Sequence, residues 1–265
     1  MVVVSPDLVR GYVERNELLK KAYEIIANDP EVKELWFMSN VMAVKRLKYN
    51  DHGPVHAHIA AGAALEIYKL LLDAGIESSL VKDGVLSKRE REYAWVVVLY
   101  GGLLHDIGNA IHRDLHEKLG AILAKPIIDR ALLKILDEDS LRIRLRQEIM
   151  HSIHCTAYDV PCLTIEAGCV SVGDGLDMAE GRARVPYKVG QVNIHTVSAL
   201  SIKKVEILEG EKTPVKINVY MDELAGVFQV DEVLMPKLEK TPIKDYIEIS
   251  IIAGNKELKS YSPRL

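Results

Sequence analysis

Trp95-Val-Val-Val-Leu-Tyr-Gly-Gly-Leu-Leu-His-Asp-Ile-Gly108 decides how this chain folds. The ten residues up to Leu104 carry no charge, so the segment reads as a helix buried nearly all round. That helix delivers His105 and Asp106 to its end. An ionised carboxylate carried into such surroundings needs a partner to offset its desolvation. A metal ion is the simplest partner, and an arginine is the other candidate.

On either side the periodicity is helical. Asp7 or Ser5 can cap a first helix through Ala27, where Asn28-Asp29-Pro30 punctuates the chain. A second helix is predicted from Glu31 to about Lys48. A third runs from about Pro54 to Ala74 and stops at Gly75, a residue suited to a left-handed ending. A polar connection, with Lys82-Asp83-Gly84 as a turn, leads to Ser87 and Glu90, whose spacing resembles a capping box. Further helices are expected over Leu115–Leu136, from Ser140 to about His154, and from Ile165 to about Gly181. Asp114 with Glu117 would cap the first of these, and Pro126 should kink or divide it.

Past Arg184-Val185-Pro186 the pattern changes. Ser201-Ile-Lys-Lys-Val-Glu-Ile-Leu208 and Val215-Lys-Ile-Asn-Val-Tyr220 alternate as half-buried strands do, with Glu209 to Lys212 as a hairpin loop. Asp222 can cap a helix to about Leu238, and Tyr246 to Ala253 forms another strand. The fold class is therefore mainly α. A helical bundle over residues 1–190 precedes a small α+β subdomain over 191–265, of order β-β-α-β, whose role is not legible.

Composition narrows the function classes. The chain has 265 residues, 48% hydrophobic and 27% charged, which is ordinary for a folded domain. A net charge of −4 provides no global basic field, so nucleic acid is not the expected partner. Cys155, Cys162 and Cys169 form neither a disulfide framework nor a Cys-x-x-Cys pair, and read as buried thiols in a reducing compartment. No segment reads as a signal peptide, and the apolar run from Ala94 to Leu104 is about half the ~20 residues a membrane helix needs. The expected location is the cytoplasm.

Nine histidines occur, and all but His195 fall between positions 52 and 154. His52/His56 and His112/His116 are spaced i, i+4, and His151/His154 i, i+3, so helices would bring each pair together. Asp174 and Asp177 repeat the i, i+3 spacing. Imidazole and carboxylate are ligands that borderline-hard divalent cations select. A histidine pair on one helix is commonly a surface feature. His105-Asp106 is not, because of the apolar helix that carries it.

The ordered series His56 in Val-His-Ala-His-Ile-Ala-Ala, Leu103-Leu-His-Asp-Ile-Gly108, His116-Glu-Lys-Leu-Gly120-Ala, His151 and Asp174-Gly-Leu-Asp-Met-Ala resembles the HD-domain metal-dependent phosphohydrolases, over roughly residues 48–185. The resemblance implies an HD-type helical bundle in which His56, His105, Asp106 and Asp174 hold one metal. Asp106 would be able to bridge to a second ion, with His116 and His151 as the extra ligands and His112 and His154 as their rivals. It implies one or two divalent ions (Mn, Mg, Fe, Ni, Co or Zn), whose identity His/Asp ligands do not reveal. Tyr49-Asn-Asp-His52-Gly-Pro-Val-His56-Ala57 is also similar to a cyclic-nucleotide phosphodiesterase segment, which implies that His52 protonates the leaving oxygen. Gly53-Pro54 departs from that segment by starting a helix between the two histidines. Asp177 is expected to hydrogen-bond a ligand histidine. Arg182, Arg184 and Lys188 are candidate phosphate-binding groups, although a solvated helix end also favours positive charge.

What the resemblance implies is hydrolysis of a phosphate mono- or diester, a small nucleotide or cyclic nucleotide, by metal-bound hydroxide, with His52 and Asp106 as the catalytic residues. Two readings compete with it. A six-ligand di-iron site would suit an oxygenase, and a non-catalytic metal- or nucleotide-binding regulator could signal through the C-terminal strands. The edges of those strands leave a homo-oligomer open.

Overall fold

A computed structural model of the chain describes residues 1–179, 194–254 and 256–263. After a two-residue strand, β1 (Val2–Val3), come α1 (Leu8–Val13), α2 (Glu17–Ala27), α3 (Pro30–Asn40), α4 (Pro54–Asp73), α5 (Ser79–Lys82) and α6 (Tyr93–Leu104). A 3-10 turn (Ile107–Ala110) leads on to α7 (His116–Leu132), α8 (Asp139–His154) and α9 (Ile165–Gly175). The C-terminal part holds α10 (Ile194–Leu200), β2 (Ile202–Leu208), β3 (Val215–Met221), α11 (Val227–Gln229), α12 (Met235–Glu239), β4 (Ile247–Ala253) and β5 (Lys256–Tyr261).

The helical layer is organised around α4 and α6. Every residue from Val96 to Asn109 is buried, as its lack of charged side chains up to Leu104 requires. Small residues let the central helices approach closely. A Cβ on Gly102 of α6 would fall 2.5 Å from Ala61 Cα of α4, and one on Gly173 of α9 would fall 2.7 Å from Ala60 O. Those crossings draw together the helices that bear His56, His105 and Asp174. Gly102→Ala should therefore cost about 1–3 kcal/mol by overpacking, readable as a lower midpoint in urea. Wild-type stability in this variant would show that the crossing has slack. By length and composition α4 could cross a membrane, but 72% of its apolar window is buried inside the protein. It is a core helix.

Several expected boundaries shift for identifiable reasons. The first helix is two, because Asn16 takes an extended conformation and its side chain accepts a hydrogen bond from Leu19 N–H, capping α2. Gly75 has φ +83°, as expected of the stop after α4. The Asp114/Glu117 cap does not form: Leu115 is the N-cap of α7, in the left-handed region at φ 61°, with no side-chain bond to the helix. Pro126 does not divide α7, which continues through it to Leu132. It lies on the exposed side, where water can reach the carbonyl it leaves unbonded. Cys155, Cys162 and Cys169 are free and buried.

The C-terminal strands belong to a five-stranded sheet of order β1-β2-β3-β4-β5. The N-terminal Val2–Val3 pairs with β2, so the sheet draws on both ends of the chain. β3 and β4 are parallel, joined by a crossover through α11 and α12, and the other neighbours are antiparallel. Ile217, Val219, Ile249 and Ile251 are buried in its core. At the far edge, Lys256, Glu257 and Lys259 of β5 are exposed, a charge pattern that discourages strand addition. The expected boundary at residue 190 falls outside the described residues.

Candidate metal centre

Four ligand-type side chains meet where α4, α6 and α9 cross. His56 Nε2 lies 3.1 Å from His105 Nε2, 3.2 Å from Asp174 Oδ1 and 3.3 Å from Asp106 Oδ2. His105 Nε2 lies 3.5 Å from Asp174 Oδ1 and 3.6 Å from Asp106 Oδ2. The other ring nitrogens are already committed as donors. His56 Nδ1 donates to Asp177 Oδ2 at 2.7 Å, as expected of Asp177, and His105 Nδ1 donates to Gly102 O at 2.8 Å. Both Nε2 lone pairs therefore face each other and two carboxylate oxygens. Acceptors converge in this way only around a shared proton or a cation. Bonds of about 2.0–2.2 Å from one cation would set neighbouring ligands roughly 3.0–3.5 Å apart, which matches these spacings. The donor set fits a divalent metal.

Burial acts to raise the pKa of Asp106, but the neighbouring imidazoles of His52, His105 and His116 outweigh it. Its carboxyl is held well below the usual carboxylate range. Asp174 behaves likewise: burial is outweighed by the Lys237 ammonium and by His105 and His56. Trp36 Nε1 donates to Leu103 O at 3.0 Å, and Ser39 Oγ and Asn109 Nδ2 donate to Asp106 O at 3.3 and 3.1 Å. The buried end of α6 is thereby satisfied.

His52 also joins the centre, although not as one member of a helical pair. It precedes α4, and its backbone N–H donates to Asn40 Oδ1 at 2.9 Å. Its Nδ1 lies 2.5 Å from Asp106 Oδ2. With His56 and Asp106 it makes a second grouping of ligand-type atoms beside that of His56, His105 and Asp174.

The expected extra ligands fare unequally. His116 Nε2 lies 3.3 Å from Asp106 Oδ1, but Arg113 Nη1 is 3.1 Å from the same nitrogen. His151 does not join the cluster, because its Nε2 accepts a hydrogen bond from Leu163 N–H at 3.1 Å. Burial and the neighbouring His154 push the His151 pKa down, consistent with a neutral acceptor. His112 is exposed next to Asp114, since the left-handed Leu115 starts α7 only at His116 and the i, i+4 pair never forms. Neither His112 nor His154 contributes to the grouped ligand atoms. Arg182, Arg184 and Lys188 lie outside the described residues.

Three contributors had no sequence signal. Asn109 Nδ2 donates to Asp106 Oδ1 at 3.0 Å. Arg113 is the second. The third is Lys237 of α12, which is buried with Nζ 2.7 Å from Asp174 Oδ2 and 2.7 Å from Thr156 O, and 4.7 Å from the Tyr158 ring. Burial lowers its pKa, but Asp174 more than compensates, so the amine stays an ammonium. Lys240 donates to the carbonyls of Cys155 and Ala157, so two cations of the C-terminal part cap the end of α8.

Comparison with known proteins agrees with this geometry. The family model for the HD domain matches residues 95–179, which include His105, Asp106, His116 and Asp174. The chain is 42% identical over 230 residues to the uncharacterized protein MJ1020 of Methanocaldococcus jannaschii, covering 87% of each. No solved structure matches the chain.

Proposed function

Because the chain belongs to the HD-domain superfamily, we propose that it is a metal-dependent phosphohydrolase acting on a phosphate mono- or diester of the nucleotide or cyclic-nucleotide class. The observation that carries the reading is the facing pair of Nε2 lone pairs on His56 and His105, ringed by Asp106 and Asp174 oxygens.

A divalent cation held by His56, His105, Asp106 and Asp174 would polarise a phosphoryl oxygen and activate water. Asp177 and the Gly102 carbonyl fix the tautomers that present both Nε2 atoms. Asp106 orients the His52 ring through Nδ1, and Nε2 would carry a proton to the leaving oxygen.

Three features favour one ion over two. Asp106 Oδ1, which would bridge to a second ion, already accepts the Asn109 amide. Arg113 occupies the approach to His116 Nε2. His151 is engaged elsewhere. The same features weaken the di-iron oxygenase reading, which needs the full ligand set.

Metal analysis of the purified chain, followed by a phosphatase and phosphodiesterase screen with Mn, Mg, Ni, Co and Fe, tests the proposal. The expected outcome is one ion per chain and metal-stimulated phosphate release. Two ions per chain would defeat the single-ion assignment. Iron-dependent oxygen consumption without phosphate release would defeat hydrolysis itself.

A further inference from the structure

We propose that Arg113 anchors the substrate's phosphoryl group, an inference that rests on the phosphohydrolase reading above. Arg113 lies between the 3-10 turn and α7, half-buried. Its Nη1 contacts Asn109 Oδ1 at 3.3 Å and His116 Nε2 at 3.1 Å. Both partners in turn touch Asp106 Oδ1. The guanidinium is therefore one side chain removed from the proposed metal ligands.

Its charge is what sets it apart. Among the described residues, the other arginines that are not fully exposed each have a carboxylate: Arg130 with Asp29, Arg142 with Asp139 and Arg146 with Asp129. Among those residues Arg113 has none within ion-pair distance, and its hydrogen bonds use Nη1 alone. Nη2 and Nε remain as donors in the fork geometry that matches phosphate oxygens. A half-buried guanidinium held beside a metal-type cluster, without an anion of its own, is built to receive one. Arg113 would hold the phosphoryl group on the side away from a cation bound by His56, His105, Asp106 and Asp174, the role a second metal ion plays in two-metal sites. This also explains why Arg113 occupies the approach to His116.

The test is binding of inorganic phosphate to the Mn-loaded protein by calorimetry, for wild type, Arg113→Gln and Arg113→Lys. Phosphate should bind at least tenfold more weakly to the glutamine variant and recover in part with lysine. Mn affinity measured without phosphate should fall by less than the ~10–100-fold that losing a ligand's own hydrogen-bonding partner costs, since Arg113 touches none of the four proposed ligands. Unchanged phosphate affinity in Arg113→Gln would reduce Arg113 to a support for His116 and overturn the inference alone. A parallel fall in Mn affinity would also overturn it, by showing that Arg113 acts through the metal. Mn-loaded wild type that binds no phosphate would overturn both this inference and the phosphohydrolase reading.

Discussion

Asp106→Asn should abolish tight binding of a divalent cation and, with it, the proposed metal-stimulated hydrolysis, while leaving a folded protein. Asp106 Oδ2 is 3.3 Å from His56 Nε2, 3.6 Å from His105 Nε2 and 2.5 Å from His52 Nδ1, so one oxygen serves both the metal cluster and the candidate acid. Asparagine keeps the shape and can still accept the Asn109 amide at Oδ1, but it removes the negative charge and offers an NH2 where Oδ2 stood. Losing an outer hydrogen-bonding partner of a ligand typically costs 10–100-fold in metal affinity. Loss of a charged ligand should exceed that, at more than about 100-fold. Stability should fall by no more than about 1–3 kcal/mol, the cost of one imperfectly paired buried group. Equilibrium dialysis with Mn and a urea unfolding curve read the two quantities separately. Mn binding by the variant within tenfold of wild type would remove Asp106 from the ligand set and undermine the whole centre.

Much of that centre is legible in the sequence. His105 and Asp106 stand out because ionisable groups at the end of a strongly apolar helix need a reason to be there, and the family resemblance adds His56 and Asp174 to them. Asp177 follows from its one-turn spacing. What stays hidden depends on backbone detail or on distant packing. Nothing in Arg113-Asp-Leu-His116 announces that Leu115 turns left-handed, yet that turn separates His112 from His116 and puts one outside and one inside. His151 faces the loop at Leu163 because the chain after α8 folds back over it, a tertiary event without a local signature. The sheet is legible as alternating strands, but its recruitment of Val2–Val3 is not, since two residues cannot display a period. Lys237 reads as an ordinary surface lysine in Leu234-Met-Pro-Lys-Leu238, and only the docking of α12 against α9 reveals it as buried.

That lysine carries the second large effect: Lys237→Met should destabilise the metal-free protein by about 3–5 kcal/mol, the usual cost of breaking a buried ion pair from one side. The Lys237 and Asp174 side chains are only 6% and 14% exposed, so water screens the pair weakly. Methionine fills much the same space but leaves the Asp174 carboxylate buried without its ammonium, and leaves Thr156 O at the end of α8 without its donor. Because Lys237 comes from the C-terminal part and Asp174 from α9, the loss should fall on the docking between them. Two further measurements separate this account from simple mispacking. Saturating Mn should narrow the gap to wild type, since a cation bound at Asp174 restores part of the missing positive charge and stabilises the folded state by mass action. The double variant Asp174→Asn/Lys237→Met should be more stable than Lys237→Met alone, because removing both charges leaves neither one stranded. Urea unfolding in chelator and in Mn measures all of these. If the two single losses simply add in the double variant and Mn leaves the deficit unchanged, the pair is not coupled, and α12 does no more than cover the centre.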